Sequence, residues 1–534
     1  MRVSLVLHPV APDERHRQHH VIARFAAHHG LQLSFHGDHV RVEGPEGRLC
    51  RAFGITRVAH EHPHGGFRRH HTHLVMPTHL HGAVAHVVGF DESRASVSRL
   101  HHLREARSHH AAPRARGGTA PIPVARLLEH YNFPADLDGT GQRIAIISLG
   151  GGFHESDLDG FFKRAGLRRP DIRAIPVDGG KNAPLPMARL KRVMAAYNTP
   201  SISLGQLWRD FPKDLSAAIS TVEATMDVEI AAAAAPGARI EVYCAENSPQ
   251  GLYHAIRAAI SGSDGTPPAV ISLSWGWPEE QLSGESASAI NQAMELAWNA
   301  GVCVCCASGD SGSVGLADDD IASDAASVLF PASSPWVLAC GGTEVEVHGA
   351  TFRRETAWNA VGRGVQQATG GGVSGAFRAP AWQQGAAVPS RATLNGAAWI
   401  APSVPPETRA AFVGRGVPDV AAYAAQDPGY LLHVGGTDCG AGGTSAATPL
   451  WAGLVARLAQ EVGGKVRLLP RLVYAPTFAD AFRSIESGDN AIRGATSAAS
   501  FAAAPGWSAC CGVGAPDGQR LRERLVQALA APHG

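Results

Sequence analysis

From residue 121 onward the chain alternates short apolar runs with longer stretches of helical period. Arg143–Leu149, Ile240–Cys244, Ala269–Ser274, Val302–Cys306 and Val337–Cys340 are nearly continuous in Ile, Val, Leu, Ala and Cys. Runs of that kind suit strands buried on both faces, as in a parallel sheet. Between them, Ser220–Ala231 reads as a helix that continues through alanines to Ala235 and stops at Pro236-Gly237. The first 110 residues follow another rhythm. Val3–Leu7 reads as a strand, Arg15–His29 as a helix closed by Gly30, and Leu31–Phe35 and His39–Val42 as strands. Glu46–Phe53 reads as a helix closed by Gly54, Thr56–Ala59 and Phe67–Val75 as strands, and His79–Val88 as a helix closed by Gly89. The pattern predicts an α+β unit over 1–110, a linker over 111–120, and an α/β domain over 121–534. Small and basic residues make the linker a good site for proteolytic nicking.

A length of 534 residues, 45% hydrophobic content and a formal net charge of +0 describe a soluble globular protein with room for two domains. No apolar run is long enough to span a membrane, and the charge balance gives no reason to expect nucleic acid. Met1–Pro9 reads as a strand and not as a signal peptide, because its apolar run is short and no small-residue cleavage site follows. Nine cysteines, three of them in Cys303–Cys306, read as small buried hydrophobes rather than a disulfide framework.

Histidine is the skewed residue: 21 of 27 lie in the first 110 positions. That segment also holds 14 Arg against 9 Asp plus Glu, about +5, which leaves 33 basic against 38 acidic residues, about −5, in the rest. The two parts attract at neutral pH, and acid loads histidine charge onto the smaller one. The expectation is an acid-released inhibitor. Metal capture by His70-His71-Thr72-His73 or His79-Leu80-His81 is the competing reading.

Three motifs carry chemistry. Gly442-Gly443-Thr444-Ser445 opens a helix and places Ser445 at a turn, beside amides that can hold an oxyanion. A serine hydroxyl needs a base, yet the six histidines beyond residue 110 sit in no recognisable base motif. Glu223 and Asp227 are four apart and share one helix face. Two carboxylates that close need not titrate together. Finally, Asp310 in Ser308-Gly309-Asp310-Ser311-Gly312 follows a buried strand, where α/β folds place functional groups.

Together with Ala235-Pro236-Gly237-Ala238, Ile271–Gly276 and Ala368–Ser374, these segments resemble the sedolisin family of serine-carboxyl peptidases, of the kumamolisin type. The resemblance implies an α/β, subtilisin-like parallel-sheet catalytic domain preceded by a smaller α+β ferredoxin-like prodomain that inhibits it intramolecularly. It implies Ser445 as nucleophile, Glu223 as base, Asp227 as its orienting partner and Asp310 as the acid donating to the oxyanion. Ser274, Trp275 and Gly276 would pair with a polypeptide substrate strand to strand. An endopeptidase acting at roughly pH 3–5 follows, near ordinary carboxyl pKa values. A monomer is expected. Relatives act outside the cell or in acidic compartments, so an extracellular location is implied, with the bacterial cytoplasm as the alternative. An inactive sedolisin-fold binding protein and a His-rich metal-binding protein are the rival readings.

The chain departs from the family at three places. Ser148 stands where a further Glu often extends the carboxylate network. The calcium site implied by the resemblance would use Ser484, Ile485, Gly506 and Ser508, but both expected aspartates are serines. Calcium needs carboxylate charge, so loss of the site is expected, unless Glu486, Asp489 or Asp517 supplies it. Residues of about 185–217 are an insertion, read as a flap or partner surface near the Glu223 helix.

Overall fold

The computed structural model describes all residues except 62–67, 92–95, 98–103, 106–119, 200–201, 203, 317–321, 350, 362–366, 390–403, 405–407, 409–410, 493–499 and 531–534. The linker therefore lies almost wholly outside the described residues, and so do the side chains of His70, His71 and His73.

The large sheet runs in the order Ile172–Pro176, Arg239–Ala245, Arg143–Leu149, Val270–Leu273, Cys303–Ala307, Leu338–His348, Thr351–Ala357, with Val420–Tyr423 also beside Leu338–His348. All of its pairings are parallel except that of Thr351–Ala357. Helices cover both faces, which is why the strands carry no polar alternation. One face holds the helices Pro212–Ala234 and Thr444–Val462; the other holds Pro249–Ser261 and Gly284–Asn299. The first two approach closely because Gly453 faces Ala234, where a side-chain carbon would come within 2.3 Å of the alanine methyl. Arg457 locks them together by donating to Ala234 O at 2.6 Å and Pro134 O at 2.7 Å. A cation there also complements a helix C-terminus.

Residues 1–90 build a four-stranded antiparallel sheet in the order Gln32–His36, His39–Glu43, Arg2–Leu7, Val84–Val88, with helices Pro12–His29 and Glu46–Ala52. That is the ferredoxin-like arrangement. The expected helix over His79–Val88 is a correction: Thr78–Leu80 is a single 3₁₀ turn and Val84–Val88 is the fourth strand. The β-branched Val84, Val87 and Val88 favour a strand, and the slot beside Arg2–Leu7 needs one. Val6 and Val88 join the core formed with the helices Pro249–Ser261 and Gly284–Asn299, so this small sheet lies on the outer helical layer.

The stretch of about 185–217 read as an insertion holds two helices and the start of a third. Met187–Tyr197 and Leu204–Asp210 are separate helices, but from Pro212 onward the chain already belongs to the Glu223 helix. Proline fits the first turn, where its missing N–H costs nothing.

Candidate active site

Glu223 and Asp227 lie in the middle of Pro212–Ala234, a helix buried on all sides from Ser220 onward. A helix surrounded by core shows no polar face, so these carboxyls sit in a medium that penalises charge. Neither Glu223 oxygen accepts a hydrogen bond of good geometry. Burial raises its pKa first, and the neighbouring Asp227 charge raises it further, with Asp310 adding to the effect. The Ser445 and Ser274 hydroxyls lie close enough to ease its ionisation. Asp227 is also raised by burial and is eased by one bond, from Ser274 Oγ at 2.9 Å. The pair therefore holds at least one proton well into the range where free carboxyls are ionised.

Ser445 is the second residue of the helix Thr444–Val462. Gly443 before it has φ 113°, a conformation that only glycine adopts easily, and its amide donates to Ala424 O at 2.6 Å. The Ser445 hydroxyl lies 3.5 Å from Ser274 O. Pro449 stands four residues on, inside the same helix. It has no amide to give the Ser445 carbonyl, and Ser274 Oγ lies 3.3 Å from that oxygen. Pro449 was not singled out from the sequence, though a proline four residues after a candidate nucleophile was a readable signal.

Asp310 follows the strand Cys303–Ala307 and is buried. Its Oδ1 accepts both the Thr444 amide and the Thr444 hydroxyl, each at 2.8 Å. Asp310 thus joins the same constellation, and its charge is felt at Glu223.

Trp275 and Gly276 begin the strand Trp275–Pro278, one side of which pairs antiparallel with Leu329–Phe330. On the other side Trp275 pairs with Val97 and Gly276 with Ser96. A segment that follows the ferredoxin-like unit thus occupies the edge expected to bind substrate. Further on, Arg104 and Glu105 pair with Gly440 and Cys439, just ahead of the Ser445 turn. Trp275 Nε1 is buried without a partner among the described residues.

Ser148 does not reach the carboxylates; its hydroxyl donates to Gly150 O at 3.2 Å. At the implied calcium positions, Ser484 Oγ is buried and unpartnered, whereas Ser508 Oγ accepts the Cys511 amide at 3.2 Å. Gly506, with φ 77°, and Ile485 offer only backbone. Of the carboxylates that could substitute, Glu486 is exposed, Asp489 Oδ1 accepts from Asn359 at 2.9 Å and Ala491 N at 3.0 Å, and Asp517 Oδ1 accepts from Asn132 at 2.8 Å. A donor set without a carboxylate does not fit a calcium ion. Next to it Arg483 makes an ion pair with buried Glu355, which also accepts from Tyr131 at 2.7 Å and Thr343 at 2.5 Å.

A family model described as the subtilase family matches residues 217–470. Kumamolisin of Bacillus sp. (strain MN-32) is 37% identical over 519 residues, which cover 95% of this chain and 82% of that protein. Tripeptidyl-peptidase sed5 of Aspergillus fumigatus is 27% identical over 85% of this chain and 72% of its own length. Among solved structures, Pseudomonas sedolisin, a serine-carboxyl proteinase complexed with two molecules of pseudo-iodotyrostatin, matches with a TM-score of 0.59 at 23% identity, over 77% of this chain and 99% of that one. That likeness concerns the fold; the kumamolisin match, nearly end to end, settles the lineage. The chain belongs to the sedolisin family of serine-carboxyl peptidases.

Proposed function

We propose that this chain is an acid-active serine endopeptidase made as a zymogen. The observation that carries the reading is the meeting of Ser445 with two unsatisfied Glu223 oxygens, inside a site where Asp227 and Asp310 also point their charge at Glu223. In this reading Ser445 Oγ attacks the scissile carbonyl carbon while Glu223 takes its proton. The carbonyl oxygen becomes an oxyanion and accepts a hydrogen bond from protonated Asp310. Collapse of the tetrahedral species breaks the C–N bond, and the amine leaves with the proton from Glu223. Water then hydrolyses the Ser445 ester by the same steps in reverse roles.

The charge balance of the site supports an acidic working range. Glu223 must lose its proton in a site that opposes charge. It does so most easily when Asp227 and Asp310 are both neutral, because each of their charges pushes its pKa up. Protonated Asp310 is also the form able to donate. Calcium has no part in the reading.

The zymogen reading rests on the strand pairing. Ser96–Val97 lies on Trp275–Gly276 as a substrate strand would, so the ferredoxin-like unit acts as a prodomain that keeps its own tether in the cleft. Its interface contains His254, whose Nε2 bonds Ser4 Oγ at 2.9 Å and whose ring lies 4.7 Å from that of His39. The test is incubation of full-length protein at pH 4 and pH 7 with a denatured protein substrate and Ser445→Ala alongside. Loss of the N-terminal hundred-odd residues and substrate cleavage, both only in acid and both absent from the variant, are expected. Equal processing at both pH values would remove the acid-release reading, and no cleavage at either would remove the peptidase reading.

A further inference from the structure

Asp310 can serve an oxyanion only if its proton sits on the correct oxygen. A carboxylic acid has two candidates, and a buried one is free to place the proton on either unless the surroundings choose. Here Thr444 faces one of the two. The Gly309 amide donates to Thr444 Oγ1 at 3.0 Å. That bond occupies a lone pair of the hydroxyl, and the hydroxyl proton is directed to Asp310 Oδ1 at 2.8 Å. The Thr444 amide reaches the same Oδ1, also at 2.8 Å. An oxygen that faces two donors acts as an acceptor; a proton on it would oppose two others.

We infer that Thr444 is a positioning residue that keeps Asp310 Oδ1 an acceptor and so assigns the catalytic proton to Oδ2. The inference rests on the reading of Asp310 as the oxyanion acid. Thr444 directly precedes Ser445 and is fully buried, so nucleophile and acid are set by adjacent residues of one helix start. The backbone there is held as well: the Thr448 hydroxyl donates to the Thr444 carbonyl at 2.8 Å, stiffening the first turn. A chain of two bonds, from the Gly309 amide through the Thr444 hydroxyl to Asp310, thereby ties the acid to the loop that carries it.

The role separates from plain packing because it acts on the transition state alone. Thr444→Val keeps the shape and the backbone amide but removes the hydroxyl. Thr444→Ser restores the hydroxyl without the methyl. Thr444→Ala is a second variant without a hydroxyl, should the valine fail to fold. The measurement is kcat and KM on a quenched fluorescent peptide at pH 4, for the full chain after acid incubation, with Asp310→Asn as reference. Loss of a donor aimed at an oxyanion costs about 10²–10³-fold in kcat. Misplacement of its proton for part of the time is expected to cost at least about tenfold, with KM unchanged, in both Thr444→Val and Thr444→Ala, and Thr444→Ser is expected to recover most of it. An unchanged kcat in the hydroxyl-free variants, or an equal fall in Thr444→Ser, would overturn the inference while leaving Asp310 in place. If Asp310→Asn itself keeps full kcat, it is the reading of Asp310 that fails, and the two failures are told apart.

Discussion

The Ser274 hydroxyl donates to Asp227 Oδ1 at 2.9 Å, while the same oxygen lies 3.3 Å from the carbonyl of Ser445. One side chain thus stands between the second carboxylate and the nucleophile's backbone, where Ser148 contributes nothing. The same hydroxyl eases the ionisation of Glu223 as well as of Asp227, so Ser274→Ala should make the Glu223 base harder to ionise and lower kcat. A hydrogen bond to a charged group is worth about 1.5–3 kcal/mol, or roughly ten- to hundredfold. Steady-state kinetics at pH 4 checks this; a variant with wild-type kcat would show that Asp227 needs no partner.

Glu223→Gln removes the base but keeps the size, and general-base catalysis typically contributes 10²–10⁴-fold. A loss of that order in kcat, with the fold intact by melting temperature, is expected. In the wild-type protein the raised Glu223 and Asp227 pKa values, caused first by burial, mean that activity is set by the protonation of the pair. The pH profile should therefore report two apparent values belonging to the pair. A profile unaltered by Asp227→Asn would contradict that coupling.

In the proposed zymogen, His254 is the group expected to tie release to pH. Burial, then His39 and Arg41, hold its pKa down to about 3, against 6.5 for a free imidazole; His36 adds to the depression and Asp38 opposes it. Asp178, 3.8 Å from the ring, is a further carboxylate there, and Arg41 and Arg257 pair with Asp178 and Asp38. A depressed histidine favours the assembled state fully above pH 6.5, and that contribution is lost as pH falls below it. At pH 4 the loss amounts to about 3 kcal/mol, more than a hundredfold in association. In His254→Gln, which binds no proton, the midpoint of acid processing should move to lower pH. An unmoved midpoint would assign the sensing elsewhere.

Stability in acid should come from Glu355 and not from calcium. Burial alone would raise the Glu355 pKa, but the hydrogen bond from His130 and the Arg483 charge, with Thr343, hold it at about 2. A depressed carboxylate stabilises above its unfolded pKa, and that stability is lost only as pH falls toward 2. At pH 4 Glu355 is still ionised. Glu355→Gln should therefore lower the melting temperature at pH 4 by several degrees, because breaking a buried pair costs about 3–5 kcal/mol. Excess EDTA should leave the wild-type melting temperature unchanged. A fall on chelation would show a metal site that Ser484 and Ser508 do not explain.

Much of this was legible along the chain because it is written in local chemistry. The buried strands are apolar runs, the Glu223 helix is an alanine-rich stretch ended by Pro236-Gly237, and Ser445 follows two glycines. The fourth strand of the small sheet was not legible: Val84–Val88 follows histidines and a loop, and its partner Arg2–Leu7 lies some eighty residues away. Neither was the company of His254, since a lone histidine on a helix gives no sign of Ser4 and His39 across an interface. The N-terminus of the Glu223 helix was hidden because about 185–217 read as an insertion, although Pro212 opens the helix.

The most direct measurement is the mass of the protein quenched in acid during turnover of a peptide ester at pH 4. The account predicts an acyl adduct that maps to Ser445, absent from Ser445→Ala and not accumulating in Glu223→Gln. Turnover without an adduct in wild type, or an adduct on another residue, would contradict it.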